Sequence, residues 1–381
     1  MIDFCLGKRY NDVKNSCEGG NCVRKYYLDN IRWITVVLVV IYHVVYMFNG
    51  IITDGVVGPF HENQYQDVIQ YMLYPWFMIL LFLVAGMCAR YDLERRSVKE
   101  FVRARTRKLL VPSTLGLLAI GWVQGYFNMA ISGAFAYMPD TLPAPAMYFI
   151  MALSGTGVLW FIQMLWLFSI LLALARKAEK GKLYKFTRKT GAAVSALLVI
   201  PVYFSGLVLN APIISVYRFG VYGFVFFLGY FVFAHDEVIG RISRFRFLFL
   251  FLSVLLGAVY IWLYYGDNYA VMPVAGSIPA VVFAWSAVLA ILGSMKEWGD
   301  RRTKFSAFMA KREFGLYVFH YLPLSATAYL LHKYTEVPAL PCYLLTACAA
   351  GAGGLVLYEV VSRIPLLRWC VLGIKKEKDH V

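Results

Sequence analysis

Long apolar runs, separated by short polar or charged stretches, follow one another from residue 31 to about residue 360. A helix that crosses a bilayer needs about 20 mostly apolar residues. Ten runs approach that length, at residues 31–50, 68–89, 109–131, 157–175, 191–209, 214–234, 246–265, 275–294, 314–332 and 339–360. The weakest boundary separates the fifth run from the sixth, because only Asn210, Ala211 and Pro212 interrupt them. The pattern predicts an all-α, polytopic transmembrane helix bundle of about ten spanning helices.

Composition supports a membrane protein and leaves no room for a large soluble domain. Hydrophobic residues make up 60% of the 381 positions, and the mean hydropathy is +0.62. Soluble domains are nearer 45–50% apolar. We therefore expect a cytoplasmic tail at 1–27, one transmembrane domain at 28–362 and a second cytoplasmic tail at 363–381.

The distribution of charge predicts topology. The net charge is +15, and nearly all Lys and Arg residues fall in alternate loops and in the two termini. Lys333 is the one basic residue in the opposite set of loops. This bias is typical of cytoplasmic loops, so we expect both termini in the cytoplasm, residence in the cell membrane, and contact with anionic lipids rather than with nucleic acid.

Cysteines and the N-terminus give mainly negative expectations. No C-x-x-C pair occurs, which predicts neither disulfides nor a metal site. The first ~25 residues are polar and lack a small-residue cleavage site, so no cleavable signal peptide is expected. The seven cysteines are Cys5, Cys17, Cys22, Cys88, Cys342, Cys348 and Cys370.

Loops and small residues add detail. The inner loop 90–108 is rich in Lys and Arg, and the outer loop 132–156 contains three prolines that favour turns. Gly121 and Gly125 form one G-x-x-x-G, which predicts close packing of helices.

Arg32 and His43 are unexpected in the first apolar run. At about 100° per residue, their separation of eleven positions is within about 20° of three full turns. They are therefore expected on one helix face, about 16 Å apart along the axis. Ionisable groups within spans usually face a polar cavity. An imidazole suits a general base, and an arginine suits a phosphate or a developing negative charge.

Five segments together resemble a known family. LDNIR followed by an apolar helix with His43 resembles the opening of the membrane acyltransferase 3 family, which has Leu-Asp-x-Leu-Arg and a histidine at the same separation. The other four segments occur in the family's order along nearly the whole chain. They are LFLVAGMCAR at 81–90, FVRARTRKLLVP at 101–112, GVLWFIQMLW at 157–166 and FGLYVFHYLPL at 314–324.

The resemblance implies an integral-membrane O-acyltransferase. The expected donor is cytoplasmic acyl-coenzyme A, usually acetyl-coenzyme A, as a co-substrate rather than a bound cofactor. The expected acceptor is a hydroxyl of a cell-envelope carbohydrate or a lipid-linked sugar. His43 would act as general base, with an acyl-histidine intermediate left open, and Arg32 would orient the donor or stabilise charge. The acceptor's identity, the acyl group and the oligomeric state stay open.

Clustered cations at the start of the third helix fit the phosphates of coenzyme A. The resemblance assigns Arg105 and Lys108 to the donor, with Arg103 and Arg107 in support. The family has Arg-x-x-Arg at this point, and the lysine here keeps the charge but loses the bidentate geometry. Val158 stands where many members have a histidine.

Candidates for the acceptor or for the lining of a pore are weaker. Aromatic and amide side chains near the outer end of the fourth helix suit a sugar, and the cation in the sixth run suits an anionic acceptor or a carboxylate partner. These candidates, with the pair from the last family segment, are Trp160, Gln163, Arg218, Tyr317 and His320. Glu359 has no assigned role.

Two other functions compete. A proton-coupled transporter or exporter would also place His, Arg and Gln within spans. Such proteins often show repeats and paired broken helices, and the sequence indicates neither. A regulatory scaffold would leave the Arg32–His43 spacing without a purpose. Substitution of His43 would spare a scaffold and abolish acyl transfer.

Overall fold

The computed structural model describes residues 24–52, 55–61, 64–179, 181–211 and 214–374. Within these ranges the chain is helical and forms no strand, and one isolated bridge joins Asn210 to Arg218. The all-α prediction is therefore confirmed for the described residues. Most of the first predicted tail, with its three cysteines, and the last seven residues lie outside them.

The helices follow one another with short connections. In chain order, labelled α1 to α16, they are Tyr26–Met47, Val68–Arg95, Val98–Ile131, Ala144–Ser154, Trp160–Glu179, Lys182–Thr187, Ala192–Ser205, Phe219–Phe233, Asp236–Arg244, Arg246–Tyr264, Met272–Ala275, Ile278–Trp298, Lys304–Phe319, Tyr321–Tyr334, Ala339–Arg363 and Pro365–Leu372.

The count of candidate spans differs from the predicted ten. Among the described residues, seven helices are long and apolar enough to cross a membrane, or up to nine if each of two bent pairs forms one span. The run predicted at 191–209 is the difference, because α7 is shorter than a span. Pro201 explains a turn at Leu198 within α7, since a proline removes one backbone donor and clashes with the carbonyl four residues earlier.

The loop predicted at 132–156 contains an apolar helix, α4. Pro143 is its N-cap and Pro145 lies in its first turn. Proline is tolerated there, because the first backbone N–H groups of a helix have no intrahelical acceptor. The same prolines that indicated turns therefore begin a helix.

The chain divides into two compact units. The first unit takes its described residues from Met1–Thr35, Tyr71–Val102 and Phe168–Glu313, and the second from Val36–Gln70, Arg103–Leu167 and Phe314–Val381.

In the first unit, glycines allow α2 and α8 to cross closely. A Cβ on Gly86 would overlap the carbonyl oxygen of Phe226, and one on Gly229 would overlap that of Leu83. The helix α12 is buried along most of its length, and the Trp285 indole donates to the carbonyl of Ser195 at 2.9 Å. This unit is thus organised by backbone contact and a buried central helix.

In the second unit, α3 packs against α4 through the predicted G-x-x-x-G. A Cβ on Gly125 would overlap the carbonyl oxygen of Met151, and one on Gly155 would overlap that of Gly121. The prediction that Gly121 and Gly125 serve helix packing is confirmed.

The middle of α3 is wider than an α-helix. Thr106–Leu110 and Pro112–Gly121 are π-helical, a form that often occurs at functional sites. Pro112 cannot donate a backbone hydrogen bond, which loosens the α-helical ladder here. Two side chains of α5 hold the wide segment, because Trp166 Nε1 donates to Thr106 Oγ1 at 3.1 Å and Gln163 Nε2 donates to the Ser113 carbonyl at 3.3 Å.

Candidate active site

A break in the last predicted family segment places His320 at a bend. Helices α13 and α14 meet at 51°, and His320 is the residue between them. Pro323 accounts for the break, since its ring clashes with the carbonyl of Phe319 and its nitrogen carries no hydrogen. The sequence HYLP therefore fixes where the imidazole lies.

His320 contacts His43 within the second unit. His320 Nε2 lies 3.2 Å from His43 Nδ1, and the ring centroids are 5.1 Å apart. His320 is fully buried, while His43 keeps partial exposure. The candidate base predicted from the first apolar run therefore has a histidine partner, and that partner comes from another predicted family segment.

The hydrogen bonds of His320 assign the hydrogens of the neutral pair. His320 Nδ1 lies 2.8 Å from the carbonyl oxygen of Tyr317 and 3.1 Å from that of Leu316. Carbonyl oxygens only accept, so this nitrogen carries the hydrogen and Nε2 is an acceptor. His43 Nδ1 must then donate to it. This tautomer leaves His43 Nε2 unprotonated, as a general base requires.

Tyrosines surround the histidine pair. The Tyr321 ring lies edge-on to His43, with centroids 5.1 Å apart. The Tyr317 hydroxyl donates to the carbonyl of Val158. Val158 is the position where many family members have a histidine, and here its backbone anchors Tyr317. Of the acceptor-side candidates, His320 therefore contacts His43 directly, and the Tyr317 ring lies next to His320, with centroids 6.1 Å apart.

Arg32 belongs to a buried ion cluster in the first unit. Its Nη2 lies 2.5 Å from Asp29 Oδ1 and its Nε lies 3.2 Å from Glu313 Oε1. Cys88 Sγ is 3.4 Å from its Nη1. Arg32 is 4% exposed, Asp29 5% and Glu313 0%. The Arg32 guanidinium thus already has two carboxylate partners, one of which, Asp29, also pairs with Arg24.

Sequence reasoning did not identify either carboxylate. Asp29 and Arg32 are three residues apart on α1, a spacing at which helix side chains meet, so the sequence alone could have predicted this ion pair. Glu313 precedes the last family segment by one residue, and only the fold brings it to Arg32. Arg32 and His43 do lie on one continuous helix, as predicted.

The basic segment of α3 is not uniformly accessible. Arg103 is exposed, Arg107 and Lys108 are half-buried, and Arg105 is only 1% exposed. The backbone at Arg107 packs on Gly373, where a Cβ would overlap the Arg107 carbonyl oxygen. The three more accessible cations therefore suit a phosphate better than Arg105 does.

The remaining candidates are dispersed. Gln163 supports α3 through Ser113, and Trp160 is half-buried beside Phe161, with ring centroids 6.4 Å apart. In the first unit, the Arg218 guanidinium is buried and its Nη2 donates to the carbonyl of Ala275 at 3.3 Å.

No metal site occurs among the residues that the structure describes, which contain no suitable group of three or more His, Cys, Asp or Glu side chains. The histidine pair itself offers a ring nitrogen that can accept a proton.

Comparison with known proteins supports the family resemblance. The model of the acyltransferase 3 family, described as an acyltransferase domain, matches residues 25–358. No curated protein and no solved structure matches the chain. The match covers most of the chain, including both histidines, Arg32 and the basic segment. The chain therefore belongs to the membrane acyltransferase 3 family and is an acyltransferase.

Proposed function

We propose that this protein transfers an acyl group, expected to be acetyl, from cytoplasmic acyl-coenzyme A to a hydroxyl of a cell-envelope carbohydrate or a lipid-linked sugar. His43 is the general base. The observation that carries the proposal is the His43–His320 contact, because it gives a single tautomer with an unprotonated Nε2 on His43.

The chemistry needs no protein nucleophile. His43 Nε2 takes the proton of the acceptor hydroxyl while its oxygen bonds to the thioester carbonyl carbon. The tetrahedral intermediate then collapses, the carbon–sulfur bond breaks, and the coenzyme A sulfur leaves with the proton returned by His43. The products are an ester and free coenzyme A. His320 positions the base by accepting from His43 Nδ1.

The donor is assigned to the basic end of α3. Coenzyme A carries several phosphates, and Lys108, Arg107 and Arg103 supply accessible positive charge within six residues. Arg105 is buried, so its contribution is expected to be support of the segment. The expected cytoplasmic location of this loop rests on the charge bias of the sequence.

The test compares binding with turnover in detergent-purified protein. Acetyl-coenzyme A binding is measured by calorimetry, and slow hydrolysis is followed by release of thiol. We expect His43→Ala to bind the donor like wild type and to lose about 10²- to 10⁴-fold in turnover. We expect Arg107→Ala/Lys108→Ala to weaken donor binding. Lys304→Ala/Lys311→Ala removes two exposed charges elsewhere and serves as the matched control.

Two outcomes would contradict the proposal. If wild type binds no acyl-coenzyme A, the donor assignment fails, and the proton-coupled transporter becomes the better hypothesis. If His43→Ala turns over like wild type, His43 is not the base. Donor binding by Arg105→Ala is interpreted only together with the thermal stability of that variant, because the Arg105 side chain is buried.

A further inference from the structure

A narrow cavity lies within the second unit, beside the candidate base. Its volume is about 40 Å³, and its walls come from α3, the 155–159 segment, the α13–α14 bend and α16. Tyr321 lines this cavity, and the same ring lies against His43. Most of the lining is apolar or glycine backbone. The cavity therefore reaches the residues that surround the base.

One line of residues on α3 connects the basic segment with this cavity. Pro112, Gly116, Ile120 and Gln124 all line it, at intervals of four, and Lys108 precedes them by the same interval. A spacing of four residues is slightly more than one turn of an α-helix. It is slightly less than one turn of the wider π-helix. The mixed helix therefore keeps these positions on one face, from a cation to a buried amide.

Gln124 places an unused acceptor at the cavity. Its Nε2 donates to Asn128 Oδ1 at 2.7 Å and to Ser325 Oγ at 2.9 Å. Asn128 Nδ2 donates in turn to the Ser154 carbonyl, which fixes Asn128 Oδ1 as an acceptor and fixes the orientation of the Gln124 amide. Gln124 is 8% exposed, and among the described residues its Oε1 has no hydrogen-bond partner.

We infer that this cavity receives an amide-bearing segment of the pantetheine arm of the donor, and that Gln124 Oε1 accepts a hydrogen bond from one of the arm's two amide N–H groups. The inference rests on the proposed function, since it takes acyl-coenzyme A as the donor. The arm is slender and largely apolar and carries N–H donors. Its phosphate end would lie toward Lys108, and its thioester end toward the tyrosines beside His43.

A sugar acceptor suits this cavity less well than a segment of a slender chain. The space of about 40 Å³ is enough for only a small group. A sugar ring brings several hydroxyls, each of which needs a partner once buried. The mainly apolar lining therefore favours a chain with few donors.

The experiment is a double-mutant cycle between protein and ligand. Dissociation constants are measured for coenzyme A and for two analogues, each with an ester oxygen in place of one pantetheine amide N–H. In wild type, one analogue is expected to bind about 2- to 10-fold more weakly than coenzyme A. In Gln124→Met the penalty for that analogue should disappear. Gln66→Met makes the same chemical change outside the cavity lining and should keep the wild-type penalty.

The outcomes separate this inference from the proposed function. If wild type binds both analogues as tightly as coenzyme A, this measurement alone overturns the inference. The proposed function is then unaffected. A penalty that persists in folded Gln124→Met also overturns it. If Gln124→Met does not fold, Gln124→Glu is used in its place. This variant keeps an acceptor oxygen, so the analogue should still bind more weakly than coenzyme A. Loss of that difference in Gln124→Glu counts against the inference. Failure of wild type to bind coenzyme A contradicts the proposed function itself.

Discussion

His320 Nε2 lies 3.2 Å from His43 Nδ1 at the point where Pro323 breaks the helix that carries His320. The two residues are 277 positions apart in the chain. His320 is buried and bound to its own backbone through Nδ1, so its ring cannot rotate without losing that hydrogen bond. In the proposed mechanism His320 is therefore a positioning residue, because it would act on the reaction only through His43.

Replacing His320 separates positioning from packing. His320→Leu keeps bulk and removes the acceptor for His43 Nδ1, so we expect kcat to fall by about 10- to 100-fold with little change in KM for the donor. His320→Gln keeps an amide oxygen that can accept from His43 and should recover part of the loss. The measurement is steady-state kinetics of acyl transfer or thioester hydrolysis across pH.

A purely structural His320 would behave differently. Both variants would then lose thermal stability in parallel with activity, and the pH profile of the remaining activity would match that of wild type. Equal activity of His320→Leu and His320→Gln would also contradict the positioning role.

Local residue patterns predicted the helices well. Nine of the ten predicted runs correspond to candidate spans or bent helix pairs. They could be predicted because the length of an apolar run is sufficient to identify a candidate span. The exception at 191–209 is the helix Ala192–Ser205, which ends at its C-cap Gly206 and is shorter than a span, although its composition is apolar enough. The side of the membrane on which each terminus lies stays a prediction.

The candidate site was predicted in parts. His43 and His320 were each identified, but their contact depends on a tertiary packing that no local pattern contains. The partners of Arg32 show the same limit, since Glu313 lies 281 positions away in the sequence. Gln124 was missed altogether, because a glutamine in an apolar run gives no signal until its hydrogen bonds are known.

The Arg32 cluster predicts a cost in stability. Arg32→Ala would leave the buried carboxylates of Asp29 and Glu313 without this partner, and loss of one partner of a buried ion pair costs about 3–5 kcal/mol. We expect the free energy of unfolding to fall by that amount. Arg32→Ala/Glu313→Ala should cost less than the sum of the two single variants. Chemical denaturation in detergent checks both.

The control for Arg32 is an exposed ion pair in the same unit. Arg188 and Glu237 have side chains that are 65% and 40% exposed, so Arg188→Ala should cost under about 1 kcal/mol. A stable Arg32→Ala protein that fails to bind acetyl-coenzyme A would contradict the structural reading and assign Arg32 to the donor.

Gly373 predicts a link between the end of α16 and the basic segment. Its φ is +62°, and it closes α16 with hydrogen bonds from Gly373 to Trp369 and from Ile374 to Arg368. A Cβ there would overlap the Arg107 carbonyl oxygen. Gly373→Ala should therefore displace the backbone at Arg107 and weaken donor binding several-fold, as calorimetry would show. Gly181→Ala is the control, since Gly181 also has a positive φ but has no atom within 4 Å of an added Cβ.

The crossing of α3 and α4 predicts a steric limit at Gly125. A Cβ there would overlap the Met151 carbonyl oxygen, which is backbone and cannot move aside cheaply. We expect Gly125→Ala to destabilise the protein by about 1–3 kcal/mol or more, as overpacking does. Thermal unfolding in detergent measures the change.

Gly240→Ala makes the same substitution in helix α9, where an added Cβ meets nothing within 4 Å. Alanine is the better helix former by about 1 kcal/mol, so this variant should be neutral or stabilised. Gly125 follows Gln124, which lines the cavity. A displacement of α3 relative to α4 at Gly125 therefore also moves the cavity wall. Gly125→Ala should therefore bind coenzyme A more weakly than Gly240→Ala does. Equal stability and equal binding of the two variants would mean that the close approach of α3 to α4 is not required.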